Sequence, residues 1–179
     1  TTKITSEAVT PMIKEKNRIA TLKNNLNIDM DLSVPSGLTL SDFKTVLSNN
    51  LSDKNKIFEQ SAEYFYKAEQ KYKVNGIFLA SIGIHESAWG TSKIANDKNN
   101  LFGFTAYDSD PYNSATSFDN YESAINKVAE ALSTKYLHVA GTKISDDLTA
   151  TGTYFNGTTA KSVNVRYASD TGWADKVFN

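Results

Sequence analysis

The residue whose type and position best suit catalysis is Glu86, at the end of a largely apolar run that begins at Asn75. Apolar surroundings disfavour the charged form of a carboxyl group, so a buried Glu86 would hold a proton near neutral pH. A held proton is what a general acid needs in order to protonate a leaving oxygen. The sequence therefore predicts that Glu86 is a general acid. The alternative is a surface residue that faces solvent at a helix end.

One helix is expected to carry this glutamate. Asn75 is a suitable N-cap, residues 76–88 can run as a single helix, and Gly90 follows as a stop signal. Helical spacing places Glu86 on one face with three apolar or small residues, Leu79, Ile82 and Gly83. Glu86 should then close an apolar stripe.

Residues 38–179 are expected to form one compact domain. Pro35 and Gly37 mark its boundary, and helical patterns begin shortly afterwards. Residues 1–37 are polar and indicate an N-terminal extension or linker that is partly helical. Between the helical patterns, aromatic and turn residues over 101–118 predict a small hairpin or extended lobe.

Longer helices are predicted on both sides of the helix that carries Glu86. One spans about residues 54–73 with an apolar face of Phe and Ala, and another carries Glu122 as its capping-box partner and ends at Gly141. Residues 142–169 are rich in Thr, Gly and Asn and indicate loops, with a weak short helix near 146–149.

Composition excludes several classes of function. The 179 residues include 19 basic and 20 acidic side chains, a net charge of −1, which gives no basic excess for nucleic-acid binding. No apolar stretch reaches the ~18 residues of a membrane-spanning helix, so membrane insertion is not expected. The chain has no Cys, and hence neither a disulfide framework nor a thiolate metal site.

The pair His85-Glu86 suggests a zinc-protease motif, but that motif needs a second His where this chain has Trp89. The only other histidine, His138, belongs to a different predicted helix. We therefore predict no catalytic metal and no cofactor. The remaining chemistry is that of carboxylates close to aromatic residues.

Aromatic residues near Glu86 in the sequence predict a sugar-binding groove, because flat amphipathic rings suit the C–H faces of sugars. These residues are Phe102, Phe104, Tyr107, Tyr112 and Tyr121. The alternative is a compact aromatic core for a short lobe. A glycosidase commonly needs a second group beyond its acid. Asp108 is the carboxylate least explained by a capping or turn role, although a turn role suits it as well, and no second carboxylate stands out.

The chain resembles the glucosaminidase domain of bacterial autolysins, glycoside hydrolase family 73, over about residues 38–179. The ordered motifs are Val74-Asn75, Glu86-Ser87-Ala88-Trp89-Gly90-Thr91-Ser92, Asn99-Asn100-Leu101-Phe102-Gly103, Ala106-Tyr107-Asp108-Ser109-Asp110-Pro111, and Tyr167-Ala168-Ser169-Asp170 with Trp173-Ala174. The resemblance implies a mainly helical, lysozyme-like α+β fold, with a helical lobe and a small β-hairpin lobe on either side of a groove.

The resemblance also implies an activity. It points to an endo-β-N-acetylglucosaminidase that hydrolyses the β-1,4 bond after N-acetylglucosamine in peptidoglycan glycan strands. Such an enzyme would be secreted to the bacterial cell wall and is expected to be a monomer. Glu86 would be the general acid, and Tyr167 occupies the place of a groove tyrosine near the reacting sugar. The expected glycan-binding residues are Asn100, Phe104 and Tyr107, together with Tyr121 from the aromatic set.

The chain departs from one branch of this family, which carries a second Glu in its β-hairpin. The corresponding stretch, residues 113–118, contains no acid. Assistance by the 2-acetamido group of the substrate, oriented by Tyr167, is therefore favoured and would retain configuration. Inversion, with Asp108 positioning a water, stays open. So do a muramidase, a lytic transglycosylase and a non-catalytic peptidoglycan-binding domain.

Overall fold

The structure is a computed structural model that describes residues 6–104, 111–168 and 170–178. Over these ranges the chain is mainly helical. Its α-helices are α1 (Ser6–Asn25), α2 (Leu40–Val46), α3 (Ile57–Tyr72), α4 (Gly76–Ser87), α5 (Lys93–Lys98), α6 (Pro111–Ser114), α7 (Tyr121–Ala131), α8 (Ala160–Tyr167) and α9 (Trp173–Phe178). A π-helical turn (Leu132–Leu137) continues α7, and strands β1 (Lys143–Ser145) and β2 (Leu148–Thr149) pair antiparallel. The predicted mainly helical α+β class is confirmed.

The centre of the core is the pair α3–α4, whose predicted positions are confirmed. Phe58 and Phe65 of α3 are fully buried, and their rings stack with centroids 6.0 Å apart. Asn75 caps α4 as expected, because its side chain accepts a hydrogen bond from the N–H of Phe78 (2.9 Å). A buried helix of this kind gives a rigid support for whatever its last turn presents.

The core also includes residues before position 38. Leu32 is fully buried, its N–H donates to the carbonyl of Thr158 (2.8 Å), and its carbonyl accepts from the N–H of Asn75 (2.9 Å). These backbone bonds tie part of the predicted extension to the helical body. The division into 1–37 and 38–179 therefore stays a prediction.

Of the small hairpin or extended lobe predicted over residues 101–118, the hairpin is wrong for the part of this stretch that the structure describes. Residues 101–104 and 115–118 contain no strand, and α6 lies between them. Single bonds hold this stretch together: the N–H of Thr116 donates to the carbonyl of Phe104 (3.0 Å), and the ammonium of Lys98 donates to the carbonyls of Tyr112 and Ala115. The observed hairpin instead joins β1 and β2 through the two residues 146–147, so the short helix expected near 146–149 is also wrong.

Two details of α7 differ from expectation. The N-cap is Asn120, whose side chain accepts from the N–H of Ser123 (2.8 Å). Glu122 is then the second helical residue, one position short of the place that a capping box requires. The helix also does not reach Gly141, because it widens into the π-helical turn and ends at Leu137.

Candidate active site

Glu86 lies in the last turn of α4, and its side chain is exposed to solvent. The expectation that Glu86 is buried within an apolar stripe is therefore wrong. The buried row at this end of the helix passes through Leu79, Gly83 and Ser87, which are spaced four residues apart, and Glu86 lies beside that row. Burial thus cannot be the reason for any acid role of Glu86 in the free protein.

The backbone on either side of Glu86 is held by short-range contacts. The hydroxyl of Ser87 donates to the carbonyl of Gly83 (2.5 Å) and accepts from the N–H of Gly90 (2.8 Å). Residues 88–90 all have positive φ, at 50°, 59° and 76°. Three successive left-handed residues end the helix abruptly, since only glycine adopts this conformation without strain. The carboxylate therefore projects from a fixed helix end.

The carboxylate of Glu86 has one described hydrogen-bond donor, the indole of Trp173. The distance from Trp173 Nε1 to Glu86 Oε1 is 2.9 Å. Trp173 is itself buried in α9 and packs edge-on against Phe78 of α4, with ring centroids 6.0 Å apart. Because the indole is fixed by packing, it orients the glutamate as well as binding it.

Three rings continue from this indole, and with it they form what we call the aromatic row: Trp173, Tyr167, Tyr136 and Tyr154. Successive centroids lie 4.9 Å, 5.4 Å and 5.1 Å apart. Tyr167 and Tyr136 are half-buried, whereas Tyr154 is 40% exposed. Ring contacts thus connect the buried indole that binds Glu86 to the exposed ring of Tyr154, and flat amphipathic rings of this kind are suited to sugar. Sequence reasoning did not single out Tyr154 and treated Tyr136 only as a buried helix-face residue.

Tyr167 is the predicted site residue that the structure places beside Glu86. It is the last residue of α8, and burial, followed by the negative charge of Glu86 and by Tyr136, raises the pKa of Tyr167 well above its ordinary value. Its phenol therefore keeps its proton at neutral and moderately alkaline pH. A neutral Tyr167 can donate a hydrogen bond to a substrate oxygen.

Asn164, which sequence reasoning missed, fixes the segment between α8 and α9. Its side-chain amide donates to the carbonyls of Ala168 (3.4 Å) and Asp170 (2.8 Å), and its oxygen accepts from the N–H of Ala174 (3.0 Å). Asn164 is buried. It thereby sets the position of Tyr167 relative to Trp173. A polar residue between Val163 and Val165 was the available signal for this role.

Asn100 has a comparable structural role in the loop before α6. It is 1% exposed, its oxygen accepts from the N–H groups of Phe102 and Phe104, and its amide donates to the carbonyls of Phe104 and Thr116. These four bonds use the full hydrogen-bonding capacity of the amide. The structure therefore gives Asn100 the task of holding a loop, and direct contact of Asn100 with glycan stays a prediction.

The loop held by Asn100 reaches α4 one turn before Glu86. A Cβ on Gly83 would lie 3.2 Å from the ring of Phe58 and 3.4 Å from the ring of Phe102, so the ring of Phe102 lies within packing distance of α4 at this glycine. Phe104 of the same loop packs against Phe118, with centroids 6.2 Å apart. This loop therefore lies near the helix end that presents Glu86.

The other predicted site residues are placed less directly. The hydroxyl of Tyr121 faces the carbonyl of Ala95 in α5 (3.4 Å), and partial burial raises its pKa. Tyr107 and Asp108 lie outside the described residues, so their predicted roles stay predictions.

Among the residues that the structure describes, no group of three or more His, Asp or Glu side chains is arranged to hold a metal ion. Within those same ranges, none of the helices combines the length and apolar character that crossing a membrane requires.

Comparisons of the sequence with a family profile and with curated proteins both point to one family. The sequence profile of the glucosaminidase family, described as mannosyl-glycoprotein endo-beta-N-acetylglucosaminidase, matches residues 62–179. A Streptococcus pneumoniae protein with an endo-beta-N-acetylglucosaminidase assignment is 35% identical over 147 residues, which are 82% of this chain and 20% of that protein. A Bacillus subtilis beta-N-acetylglucosaminidase is 28% identical over 163 residues, 84% of this chain and 17% of that protein. The chain spans about a fifth of the length of these curated relatives.

Solved structures show the same fold. Autolysin E of S. aureus superposes with a TM-score of 0.57 at 24% identity, covering 90% of this chain and 73% of that chain. The structure titled major bifunctional autolysin gives a TM-score of 0.53 at 23% identity, covering 91% and 70%. The profile match covers well over half of the sequence, and the chain therefore belongs to the glucosaminidase family of glycoside hydrolases.

Proposed function

We propose that this chain is an endo-β-N-acetylglucosaminidase that hydrolyses the β-1,4 bond after N-acetylglucosamine in peptidoglycan, with Glu86 as its general acid. The observation that carries the proposal is the hydrogen bond from Trp173 to Glu86 at one end of the aromatic row. An oriented carboxyl group beside sugar-binding rings is the arrangement that protonation of a glycosidic oxygen requires. A catalytic mutant of autolysin E, which has a similar fold, is known in complex with the disaccharide NAG-NAM.

The favoured mechanism uses the 2-acetamido group of the substrate as the nucleophile. Glu86 gives its proton to the glycosidic oxygen while the acetamido oxygen attacks the anomeric carbon, and the broken C–O bond leaves its electron pair on the departing oxygen. Water then attacks the anomeric carbon of the oxazolinium intermediate and gives a proton to the Glu86 carboxylate, while the bond from that carbon to the acetamido oxygen breaks and its electron pair restores the amide. Two successive displacements retain the configuration, and one enzymic carboxyl group suffices.

Tyr167 is suited to orient the acetamido group. Its phenol is neutral, lies next to Trp173 in the row and is close enough to Glu86 for the charge of the carboxylate to affect its pKa. A bound glycan would also cover the exposed Glu86 and exclude water from it. Exclusion of water strengthens the interaction between an acid and the leaving oxygen, so the substrate would complete the site.

The alternatives are one of mechanism, inversion, and three of function. Inversion would need a second group that positions water opposite Glu86, and Asp108 is the candidate for that role. A wall-binding domain without turnover is favoured by one observation, the exposure of Glu86, because burial does not set this residue apart. Muramidase and lytic transglycosylase activities on the same polymer would use the same acid and differ in their products.

The setting of the proposed activity is the bacterial cell wall, reached by secretion, with glycan strands as the partner. We expect a monomer that binds no nucleic acid, in keeping with the net charge of −1. The autolysin relatives by fold support the wall as the place of action.

Digestion of purified peptidoglycan, followed by mass spectrometry of reduced products, tests the proposed function. New reducing ends are expected to be N-acetylglucosamine. Reducing-end muramic acid would indicate a muramidase, and anhydro-muramic ends a lytic transglycosylase. Walls that are bound but never cut would indicate a binding domain. Proton NMR of the first product anomer separates retention from inversion.

A further inference from the structure

The π-helical turn Leu132–Leu137 anchors the loop that carries Tyr154. The carbonyl of Thr134 accepts hydrogen bonds from the N–H groups of Thr151 and Gly152 (2.9 Å each), and the next carbonyl accepts from the N–H of Tyr154 (2.8 Å). A π turn departs from the regular i−4 bonding of an α-helix, so its carbonyls can bind a neighbouring loop. Tyr154 is therefore exposed on an anchored backbone.

Gly152 makes the loop conformation specific. It has φ of 62°, and a Cβ at this position would lie 2.5 Å from the backbone nitrogen of Ala140. A larger residue would have to displace backbone atoms, which is costly. The close approach of two backbone segments thus fixes where Tyr154 points.

The ring of Tyr154 extends the aromatic row away from Glu86. It packs on Tyr136 with centroids 5.1 Å apart and planes tilted by 34°, yet 40% of the residue stays exposed. Tyr136 packs in turn on Tyr167. Tyr154 is therefore the exposed end of a series of ring contacts whose other, buried end, Trp173, binds the candidate acid.

The chemistry around Tyr154 favours a neutral ligand rich in hydroxyl groups. Residues 148–160 contain no charged side chain. The hydroxyls of Thr151 and Thr153 lie 2.8 Å apart on exposed residues of the same loop. Hydroxyl groups beside an exposed amphipathic ring suit the face and rim of a sugar. This stretch itself offers no cation to an acidic peptide stem, and the basic residue that a described bond ties to it is the exposed Lys135, whose carbonyl accepts from the N–H of Tyr154.

We propose that Tyr154 is a stacking platform for a sugar ring of the glycan strand beyond the two sugars that flank the cleaved bond. The proposal rests on the proposed function of the Glu86 site and adds a determinant of chain length to it. Tyr154 would bind long strands more tightly without taking part in bond cleavage. Its removal should therefore affect KM for long strands and leave kcat unchanged.

The test uses glycan strands freed of peptide stems and separated by length, with the full chain in four forms: wild type, Tyr154→Ala, Tyr154→Phe and Val165→Ala. Val165 is 64% exposed on α8 and is absent from the row, so it controls for loss of an exposed apolar side chain. We expect Tyr154→Ala to raise KM for long strands about three- to tenfold, the scale of one aromatic contact. Tyr154→Phe keeps the ring and should stay within about twofold of wild type.

Binding of the same strands to Glu86→Gln, with and without Tyr154→Ala, supplies a readout independent of turnover. Weaker binding of long strands alone, with an unchanged melting temperature, supports the platform. Equal effects on short and long strands, no effect on long strands, or equal loss in Tyr154→Phe overturns it. If the wild type cuts walls and Tyr154→Ala has the same KM for long strands, only the proposal for Tyr154 is overturned. A wild type that neither binds nor cuts walls overturns both proposals.

Discussion

Each end of α4 meets a glutamate, and the two carboxyl groups lie in opposite environments. At the N-terminal end, Glu69 of α3 is fully buried, and its Oε1 accepts hydrogen bonds from the N–H groups of Ser36 and Gly76 (3.1 Å for the latter). At the C-terminal end, Glu86 is exposed and accepts one hydrogen bond from Trp173. One helix therefore separates a carboxyl group that holds the fold together from one that faces the aromatic row.

Burial of a carboxyl group therefore does not single out Glu86, the acid that we propose. Burial raises the pKa of Glu69, and its Oε2 has no hydrogen-bond partner among the described residues. The group is nevertheless explained by structure, because backbone N–H groups and the positive end of a helix dipole favour a carboxyl group there. Glu86 gains no such help at the C-terminal end, where the dipole favours cations. What distinguishes Glu86 is that it is exposed and lies at one end of the aromatic row.

The largest expected effect is that of Glu86→Gln on activity. Loss of a general acid should reduce kcat on purified walls by about 10²–10⁴-fold. Glutamine keeps an oxygen that can accept the hydrogen bond of Trp173, so the melting temperature should not change. Glu69→Gln is the matched control, with activity expected within about twofold of wild type. Equal rates for Glu86→Gln and wild type would remove Glu86 from catalysis.

A smaller effect is expected for Trp173→Phe. This change removes the indole N–H that binds Glu86 and keeps an aromatic ring, so kcat should fall about ten- to a hundredfold, as for loss of one oriented donor. Phe104→Leu is the comparison, because Phe104 packs on Phe118 in the loop that Asn100 holds, outside the aromatic row. A larger loss of kcat for Phe104→Leu than for Trp173→Phe would favour the groove that the sequence predicted over the aromatic row.

The smallest expected effects on activity, and the clearest on stability, come from Glu69. Glu69→Ala leaves the buried N–H of Gly76 and the part-buried N–H of Ser36 without their acceptor and should lower the free energy of unfolding by about 2–4 kcal/mol. Because the pKa of Glu69 is raised above 4.5, the folded state holds the proton longer than the unfolded state. The contribution of Glu69 to stability is therefore largest below pH 4.5 and falls as pH rises through the folded-state pKa.

Urea unfolding of wild type and Glu69→Gln across this pH range measures that contribution. The stability of wild type relative to Glu69→Gln should fall as pH rises from below 4.5. An increase would show that the charged form is the one the fold prefers. The same urea series on Glu86→Gln compares the stability contribution of the carboxyl group at the other end of α4.

Local sequence patterns sufficed for the helices around the core. The periodicity of α3, the cap at Asn75 and the stop at Gly90 depend on neighbouring residues, and the structure has each of them. The same periodicity misled the burial prediction for Glu86. Spacing shows which residues share a helical face. It does not show how far along that face the neighbouring elements cover the helix.

The aromatic row depends on contacts that no local pattern contains. Tyr136 meets Tyr154 only because a π turn bonds to a loop 17 residues later in the chain, as the bond from Thr151 to Thr134 shows. The helix α8, capped by Thr159, was missed because its buried face is short. Tyr167 was expected in the site from a family resemblance, but only the folded structure shows how close its ring lies to the other rings.

The π turn also affects how this chain is aligned with its relatives. A π turn holds one residue more than the α-helical turn it replaces, so every side chain after Leu132 is out of step with a helix counted from Tyr121. A relative that keeps a plain α-helix here would need one residue fewer. Alignment gaps opened within Leu132–Leu137 would then match Tyr136 with its true counterpart, whereas gaps placed in the following loop would shift the match by one position.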